Sequence, residues 1–245
     1  MGNNCWDEWK FYFESKGYKC IAPAWPHKNA SPEELRNRHP DPAIASLRLE
    51  SLMEYFEALI NKLPERPIII GHSLGGLIAQ VLLQRGLGSA GVAIHSFPAS
   101  GIGQSKFSFL RALWESVGLF TSTRKTYMMS FRKWSRSVAN GMDCKQQKQL
   151  FYKYATPESK LIIRDTFRSS SKINFKGRHA PLLLISGSSD KIIPSSMNYD
   201  NYKKYKMGHS ITDYMEFKGR NHLVFDQPAG REEADFALYW MQGIK

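Results

Sequence analysis

A serine between two glycines is the residue of this 245-residue sequence that is best suited to chemistry. Residues 71–75 read GHSLG, a G-x-S-x-G pattern that follows an apolar run at 66–71 and precedes an amphipathic stretch at 75–86. This context predicts a tight strand-to-helix turn in which small residues two before and two after the serine avoid collisions. The helix would direct its first N–H groups at negative charge developing beside Ser73. The turn indicates a nucleophile, although a helix-capping serine in a glycine-rich corner fits the same pattern.

A serine hydroxyl is a weak nucleophile at neutral pH, so a base must lie beside it. The candidate base is His222, because it follows the last predicted strand at the same sheet edge as Ser73. His72 is less suited, since adjacent residues of such a turn point in different directions. A surface or packing histidine is the alternative interpretation of His222. Four further histidines lie in the early proline-rich loop or ahead of strands at the opposite edge: His27, His39, His179 and His209.

The base in turn needs a carboxylate that orients it, and Asp190 is the candidate. It ends the loop after the apolar run at 182–186, beside the predicted position of His222. The end of the preceding strand, another suitable place for an acid, carries His95 instead. The chain order Ser73, Asp190, His222 is one known order for such triads. An ordinary turn aspartate is the alternative. The other aspartates considered are Asp165 in a predicted insertion, Asp213 within a strand and Asp226 just beyond the histidine.

Strands and helices alternate along most of the chain, which predicts an α/β fold with a mostly parallel sheet and helices on both faces. Apolar residues at helical spacing predict the helices, and short continuous apolar runs in other segments predict the strands. The predicted helices are 5–18, 42–64, 75–86 and 231–244, and the predicted strands are 18–26, 66–71, 90–99, 180–190 and 211–217.

The alternation is interrupted from about residue 100 to 178, where the sequence is rich in Ser, Lys, Arg and aromatic residues. We interpret this stretch as a mainly helical cap inserted into one core domain, formed by residues 1–99 and 179–245. Its aromatic residues predict either an apolar substrate pocket or simple packing of the cap on the core. They are Phe107, Phe109, Trp114, Phe120, Tyr127, Phe131 and Trp134.

The composition limits the class of protein. Hydrophobic residues make up 42% of the chain, enough for a buried core. The formal net charge of +12 suits an acidic partner, but the basic residues are spread out and carry no nucleic-acid motif. The three cysteines lack metal-ligand spacing, and neither a membrane span nor a signal peptide is recognisable. We therefore expect a soluble cytoplasmic protein that has no nucleic-acid partner.

The sequence resembles the α/β-hydrolase superfamily, in the branch of lipase-, esterase- and haloperoxidase-like serine hydrolases. Four segments carry the resemblance: GYKCIAPAWP, PIIIGHSLGGLIAQVLL, APLLLISGSSDKIIP and FKGRNHLVF. The resemblance implies an α/β-hydrolase fold and a small ester or related acyl substrate, with no cofactor and no metal. It also implies that Ser73 is the nucleophile, His222 the base and Asp190 the orienting acid, with the N–H of Leu74 as one oxyanion donor.

One part of the family pattern has no counterpart in this chain. An N-terminal central strand and the His-Gly loop after it, which supplies the second oxyanion donor, are missing, and MGNNCWDEW resembles the tail of that loop. Three explanations stay open: a misplaced start, a fragment, or a strand supplied by another chain. Gly2, Asn3 or Asn4 could offer an N–H instead. A donor lost from such a site typically costs about 100- to 1000-fold in turnover.

Two other functions therefore compete with a serine hydrolase. The first is a catalytically silent hydrolase-fold protein that binds a ligand or a partner, which the incomplete oxyanion machinery favours. The second is a nucleic-acid-binding protein, which should show strongly salt-dependent binding.

Overall fold

The computed structural model describes residues 1–102, 121–168, 171–226 and 228–244. Four strands form one sheet in which each neighbouring pair is parallel, in the order β1-β2-β3-β4. The strands are β1 (Ile68–His72), β2 (Ala90–Ile94), β3 (Leu182–Gly187) and β4 (Thr212–Phe217). The predicted α/β architecture with a parallel sheet is confirmed.

The central strands form because their sequences are continuous apolar runs. Every residue of β2 and β3 is buried, as is usual where helices cover a parallel sheet. The register places Val92 of β2 between Ile70 of β1 and Leu183 of β3. Because all four strands run in one direction, the loops that follow them meet at the same edge of the sheet.

Helices flank this sheet: the helix Leu74–Gln84 packs on β1 and β2, and the helix Ser195–Tyr205 packs on β3 and β4. Within the described ranges, no helix combines the length and apolar character that crossing a bilayer requires. After a 3₁₀ turn at Asn3–Trp6, the helices are α1 (Asp7–Glu14), α2 (Pro32–Asn37), α3 (Pro42–Ala45), α4 (Leu49–Ile60), α5 (Leu74–Gln84), α6 (Phe131–Ser137), α7 (Cys144–Tyr154), α8 (Lys160–Asp165), α9 (Ser195–Tyr205) and α10 (Pro228–Gly243).

The single helix predicted for 42–64 is wrong, because the chain forms two helices there, α3 and α4. The reason is a tertiary contact. The Asp165 carboxylate accepts the N–H of Leu49, the first residue of α4, at 3.1 Å and binds the guanidinium of Arg48 at 2.6 Å. A carboxylate from a distant part of the chain thus caps the second helix and fixes where it begins.

The buried strand predicted for 18–26 is also wrong. These residues form no strand and none of them is buried; Ile21 is 70% exposed. Side chains, and not a neighbouring strand, bind two of the carbonyls: Asn3 Nδ2 donates to Ala22 and the Tyr55 hydroxyl donates to Ala24. An apolar run becomes a strand only where another strand completes its hydrogen-bond ladder, and β1, not this segment, lies at the edge of the described sheet.

The predicted cap lies partly outside the described residues. Of its aromatic residues, Phe107, Phe109, Trp114 and Phe120 fall in 103–120, which the structure does not describe. In the described part, the rings of Phe131 and Trp134 pack on Phe151 at centroid distances of 5.5 and 5.7 Å. Phe151 itself belongs to the predicted cap, so these contacts do not distinguish a substrate pocket from packing of the cap on the core, and the boundaries of the cap remain a prediction.

Candidate active site

Ser73 lies on the turn between β1 and α5 in a strained conformation, with φ 55° and ψ −119°. The end of β2 holds it there, because the Ser73 N–H donates to the Ile94 carbonyl and the Ser73 carbonyl accepts the Phe97 N–H, both at 2.9 Å. The side chain makes no capping hydrogen bond to α5 in the described structure. The geometry therefore favours a hydroxyl that is available for reaction over the helix-cap interpretation.

The glycines around Ser73 differ in how much space a side chain would have. A Cβ added to Gly71 would lie 2.0 Å from the Gly75 carbonyl oxygen, whereas a Cβ on Gly75 would meet no atom within 4 Å. A Cβ on Gly76 would lie 2.9 Å from the Ser96 Cβ. The prediction that a small residue avoids a collision in the turn is therefore confirmed for Gly71 and wrong for Gly75. The second close approach is at Gly76, where α5 packs on the chain after β2.

We expect Gly71→Ala to lower the free energy of unfolding by about 3 kcal/mol or more, because its methyl group would overlap a backbone carbonyl that cannot move alone. Gly75→Ala is the matched control in the same turn. It should leave stability unchanged or raise it by about 0.5–1 kcal/mol, since alanine favours a helix. Urea unfolding followed by circular dichroism measures both. Equal stabilities of the two variants would contradict this account of the turn.

The structure brings the three predicted site residues together in one chain of hydrogen bonds. The hydroxyl of Ser73 lies 3.0 Å from Nε2 of His222, and Nδ1 of His222 lies 2.7 Å from Oδ2 of Asp190. His222 and Asp190 are buried and Ser73 is half-buried. With a proton on Nδ1, His222 presents a lone pair on Nε2 to the serine hydroxyl. This is the arrangement that a general base requires.

The loop after β3 fixes the carboxylate of Asp190. Its Oδ1 accepts the N–H groups of Ile192 and Ile193 at 2.7 and 2.8 Å, so only Oδ2 is directed at His222. Both N–H groups belong to the chain immediately after the aspartate. The KII sequence that follows Asp190 thereby determines which oxygen meets the base.

His72 supports the histidine loop and does not face the serine. Its Nε2 lies 2.8 Å from the backbone carbonyl of His222, and the two rings are 4.7 Å apart. Burial lowers the pKa of His72 well below its ordinary value, with the nearby His222 and His95 adding to the effect. A neutral His72 donates its Nε2–H to the carbonyl and holds the His222 loop against β1.

Two buried residues at this site were not assigned a role from sequence. His95, with φ 44°, follows β2, and its Nδ1 lies 3.5 Å from Oδ2 of Asp190. On its other side, Nε2 lies 3.7 Å from Oε2 of Glu233 in α10. Burial lowers the pKa of His95 to about 4, and burial raises the pKa of Glu233 to about 8. His95 had a sequence signal, its place after a strand at the candidate edge, whereas Glu233 had none.

The raised pKa of Glu233 makes stability depend on pH. The folded protein keeps this proton up to about pH 8, while an unfolded glutamate with an ordinary pKa of 4.5 loses it earlier, so stability falls as pH rises between those values. We expect Glu233→Gln to remove this fall. The difference in free energy of unfolding between Glu233→Gln and wild type should therefore increase as pH rises through that window. The increase should be on the order of 1.4 kcal/mol for each pH unit, and a few kcal/mol in all.

Urea unfolding at pH 5 and pH 8 measures this difference. Glu54→Gln is the matched control, because Glu54 is an exposed glutamate of α4 and is not among the groups that shift the pKa of Glu233. Its effect on stability should be small and similar at the two pH values. A Glu233→Gln effect that is equal at pH 5 and pH 8 would show that Glu233 is ionised in the folded protein.

The three buried imidazoles of His72, His95 and His222 offer nitrogen atoms within 4.8 Å of one another. The nitrogens of His222 already contact Ser73 and Asp190, and Nε2 of His72 contacts a carbonyl. A metal ion would have to break these contacts. We therefore assign the imidazoles of His72 and His222 to hydrogen bonding and not to a metal ion.

The other candidates from sequence lie in different surroundings. His179 and His209 line a 330 Å³ surface cavity beside Pro181 and Ile211, at the residues that precede β3 and β4. Nδ1 of His39 contacts the Thr126 hydroxyl. The aspartates bind partners away from Ser73: Asp165 binds Arg48, Asp213 binds Trp240, and Asp226 binds Lys153.

Leu74 is the first residue of α5, so its N–H has no carbonyl within the helix to bind. The residues proposed for a second donor lie in and just before the 3₁₀ turn at Asn3–Trp6. The side-chain amide of Asn3 binds the Ala22 carbonyl and that of Asn4 binds the Lys153 carbonyl. Their backbone N–H groups remain candidates only.

The profile of the alpha/beta hydrolase family matches residues 2–234 of this sequence, nearly the whole chain. The protein belongs to the alpha/beta hydrolase family. A search of curated protein sequences finds no match.

Solved structures of low sequence identity share this fold. A monoacylglycerol lipase from Paleococcus ferrophilus gives a TM-score of 0.69 at 19% identity, over 100% of this chain and 91% of the lipase. A methylesterase from Arabidopsis gives 0.67 at 13% identity, over 98% and 94% of the two chains. A pyrethroid hydrolase from Sphingobium faniae gives 0.66 at 14% identity, over 97% and 92%. At these identities the likeness shows the fold alone.

Proposed function

We propose that this protein is a serine hydrolase that cleaves an ester or related acyl compound through an acyl-enzyme on Ser73. One observation carries the proposal: Ser73, on a strained turn, lies 3.0 Å from Nε2 of His222, whose Nδ1 lies 2.7 Å from Asp190. A buried carboxylate, an imidazole and a half-buried hydroxyl in this order match the requirements of nucleophilic catalysis.

In the first half of the proposed reaction, Nε2 of His222 takes the proton of Ser73 as Oγ attacks the carbonyl carbon of the substrate. The carbonyl oxygen becomes an oxyanion, which the N–H of Leu74 would stabilise with the positive end of α5 behind it. The imidazolium then gives its proton to the leaving alcohol. The carbon–oxygen ester bond breaks and the acyl group stays on Ser73.

In the second half, a water molecule repeats the attack on the acyl-enzyme. His222 takes a proton from the water and returns it to Oγ of Ser73, which leaves as the acid is released. Asp190 keeps its charge throughout, because it accepts hydrogen bonds from two backbone N–H groups and from His222. Its role is to hold the His222 tautomer and to stabilise the imidazolium.

The ester class rests on the same site chemistry and on the names of similar structures, which include a lipase, a methylesterase and a pyrethroid hydrolase. We also propose that residues 100–178 form a cap over the core of residues 1–99 and 179–245. Such a cap would select the acyl or alcohol group. The second oxyanion donor would come from the backbone of Gly2, Asn3 or Asn4.

The proposal is tested by intact mass after incubation with a fluorophosphonate. Oγ of an activated serine attacks the phosphorus, fluoride leaves, and a stable phosphonyl-serine remains. One adduct on wild type, mapped to Ser73 by peptide mass, supports the proposal. No adduct on protein that circular dichroism shows to be folded would overturn it and favour the catalytically silent binding protein.

A further inference from the structure

His95 is buried beside the site with no hydrogen bond to either ring nitrogen among the described residues. Its side chain is 0% exposed, and Nδ1, Nε2 and Oε2 of Glu233 are all without a hydrogen-bond partner in that part of the chain. Buried polar atoms left unpaired are costly, so the protein needs an arrangement in which they bind one another. Nδ1 faces Asp190 at 3.5 Å and Nε2 faces Glu233 at 3.7 Å.

The surroundings of Asp190 leave one position for a further donor. Its Oδ1 accepts two backbone N–H groups, and its Oδ2 accepts Nδ1–H of His222. Nδ1 of His95 lies 3.5 Å from this Oδ2. A carboxylate has about four acceptor positions, so an N–H from His95 would complete them.

We propose that His95 and Glu233 are positioning residues for Asp190: neutral Glu233 donates its proton to Nε2 of His95, and this fixes the tautomer that donates Nδ1–H to Asp190. Movements of about 0.5–0.7 Å would bring both contacts to hydrogen-bond distance. A continuous chain of hydrogen bonds then runs from Glu233 through His95, Asp190 and His222 to Ser73, and every donor in it has an acceptor. The inference rests on the proposed function, because it assigns these residues to the same site.

Glu233 is neutral near pH 7 because burial raises its pKa to about 8, with Asp190 and Glu232 adding to the effect. Arg220 acts in the opposite direction, but its guanidinium is bound to the exposed carboxylate of Glu232. These groups come from α10, from the loop after β3 and from the loop after β4. Among the described residues that shift the pKa of Glu233, Arg220 is the one cation.

Three further groups face His95 itself. Asp190 and the backbone carbonyl of His222 favour a charged His95, whereas burial, the largest effect, and the His222 imidazole disfavour the charge, so that the pKa is about 4. The rings of His72 and His222 lie 5.9 and 6.0 Å from it. His95 is therefore neutral across the physiological range, and only its tautomer can change.

Ionisation of Glu233 would reverse that tautomer. A carboxylate cannot donate, so Nε2 of His95 would carry the proton and Nδ1 would direct a lone pair at Oδ2 of Asp190. Two lone pairs in a buried site repel, which would displace the carboxylate that holds His222. We therefore expect the serine to become less reactive as Glu233 loses its proton, through a single-proton step near pH 8.

The test is the rate of fluorophosphonate labelling between pH 6 and 9.5. Wild type should lose reactivity in a step near pH 8, whereas Glu233→Gln should show no such step, because the amide N–H can donate to Nε2 at every pH. Glu233→Leu should label about tenfold more slowly at pH 7, the cost of one lost hydrogen bond. Glu54→Gln, which removes an exposed charge of α4 and is the matched control, should keep the alkaline step.

A second measurement reads the tautomer directly and needs no activity. Long-range ¹H–¹⁵N spectra of protein labelled in its imidazoles should show His95 as the Nδ1–H tautomer at pH 6–7 and as Nε2–H above pH 8, with His95→Gln identifying the signals. In Glu233→Gln the Nδ1–H form should persist. An Nε2–H tautomer at pH 6–7, or an alkaline step that survives in Glu233→Gln, would overturn the inference.

These experiments distinguish a failure of the proposed hydrolase function from a failure of the role proposed for His95 and Glu233. Wild type that never labels would refute the proposed serine hydrolase, while the spectra would still report the tautomer of His95. Wild type that labels with the same pH profile as Glu233→Gln would refute the role of Glu233 and leave the hydrolase proposal intact.

Discussion

Replacing Ser73 by alanine is expected to abolish fluorophosphonate labelling and to reduce turnover of any ester substrate by roughly 10⁶-fold. The reason is that Oγ of Ser73 is the atom that would form the covalent bond, and no other hydroxyl contacts His222 among the described residues. The fold should survive, because the backbone bonds of Ser73 to Ile94 and Phe97 hold the turn and the hydroxyl does not contribute to them.

The measurement combines intact mass, turnover of a chromogenic ester and a thermal melt for wild type and Ser73→Ala. Ser51→Ala is the matched control, because Ser51 is an exposed serine within α4, where alanine is well tolerated. The control should label like wild type. An adduct that persists in Ser73→Ala would mean that another residue is the nucleophile.

The second large effect is expected for Asp190→Asn, which should slow turnover by about 10⁴-fold while the protein stays folded. The N–H groups of Ile192 and Ile193 both point at one side-chain oxygen, so an asparagine here would keep its carbonyl toward them. Its NH₂ group would then face Nδ1 of His222. That nitrogen would have to accept, the proton would move to Nε2, and His222 could not take the proton of Ser73.

Steady-state turnover and labelling rates check this result. Asp200→Asn is a suitable control, because Asp200 forms a partly exposed ion pair with Lys203 in α9, and surface pairs contribute little to stability. Near-wild-type activity of Asp190→Asn would show that Asp190 is not the orienting acid. A matching loss in Asp200→Asn would point instead to a general effect on folding.

The sequence predicted the fold class and the family correctly because both depend on local patterns. Apolar runs such as residues 182–186 predict buried strands, and the glycine pattern at 71–75 predicts the turn, whatever the rest of the chain does. The predictions from sequence were wrong where contacts with distant parts of the chain determine the local structure. Residues 18–26 have the composition of a strand but no neighbouring strand to bind in the described part of the chain, and the helix predicted over 42–64 is divided by the carboxylate of Asp165.

The choice of Ser73, Asp190 and His222 was also possible from sequence, because loops that follow parallel strands must meet at one edge of the sheet. Their order and residue types then suffice to select them, and the structure places them within hydrogen-bond reach of one another. The sequence could not show which glycine after Ser73 has another atom close to the position of a Cβ. Gly75 and Gly76 are adjacent in sequence, and only the packing of α5 on Ser96 distinguishes them.

What the sequence determined by itself is therefore the parallel α/β architecture, the strained turn and the three residues at its edge, since each follows from short-range patterns and strand direction. Only the tertiary structure decided that His95 lies between Asp190 and Glu233, and that these groups are buried there. The contact joins the residue after β2 to α10, two parts of the chain that are far apart in sequence. Neither the distance between two side chains nor the loss of water that shifts their pKa values is determined until the core has packed.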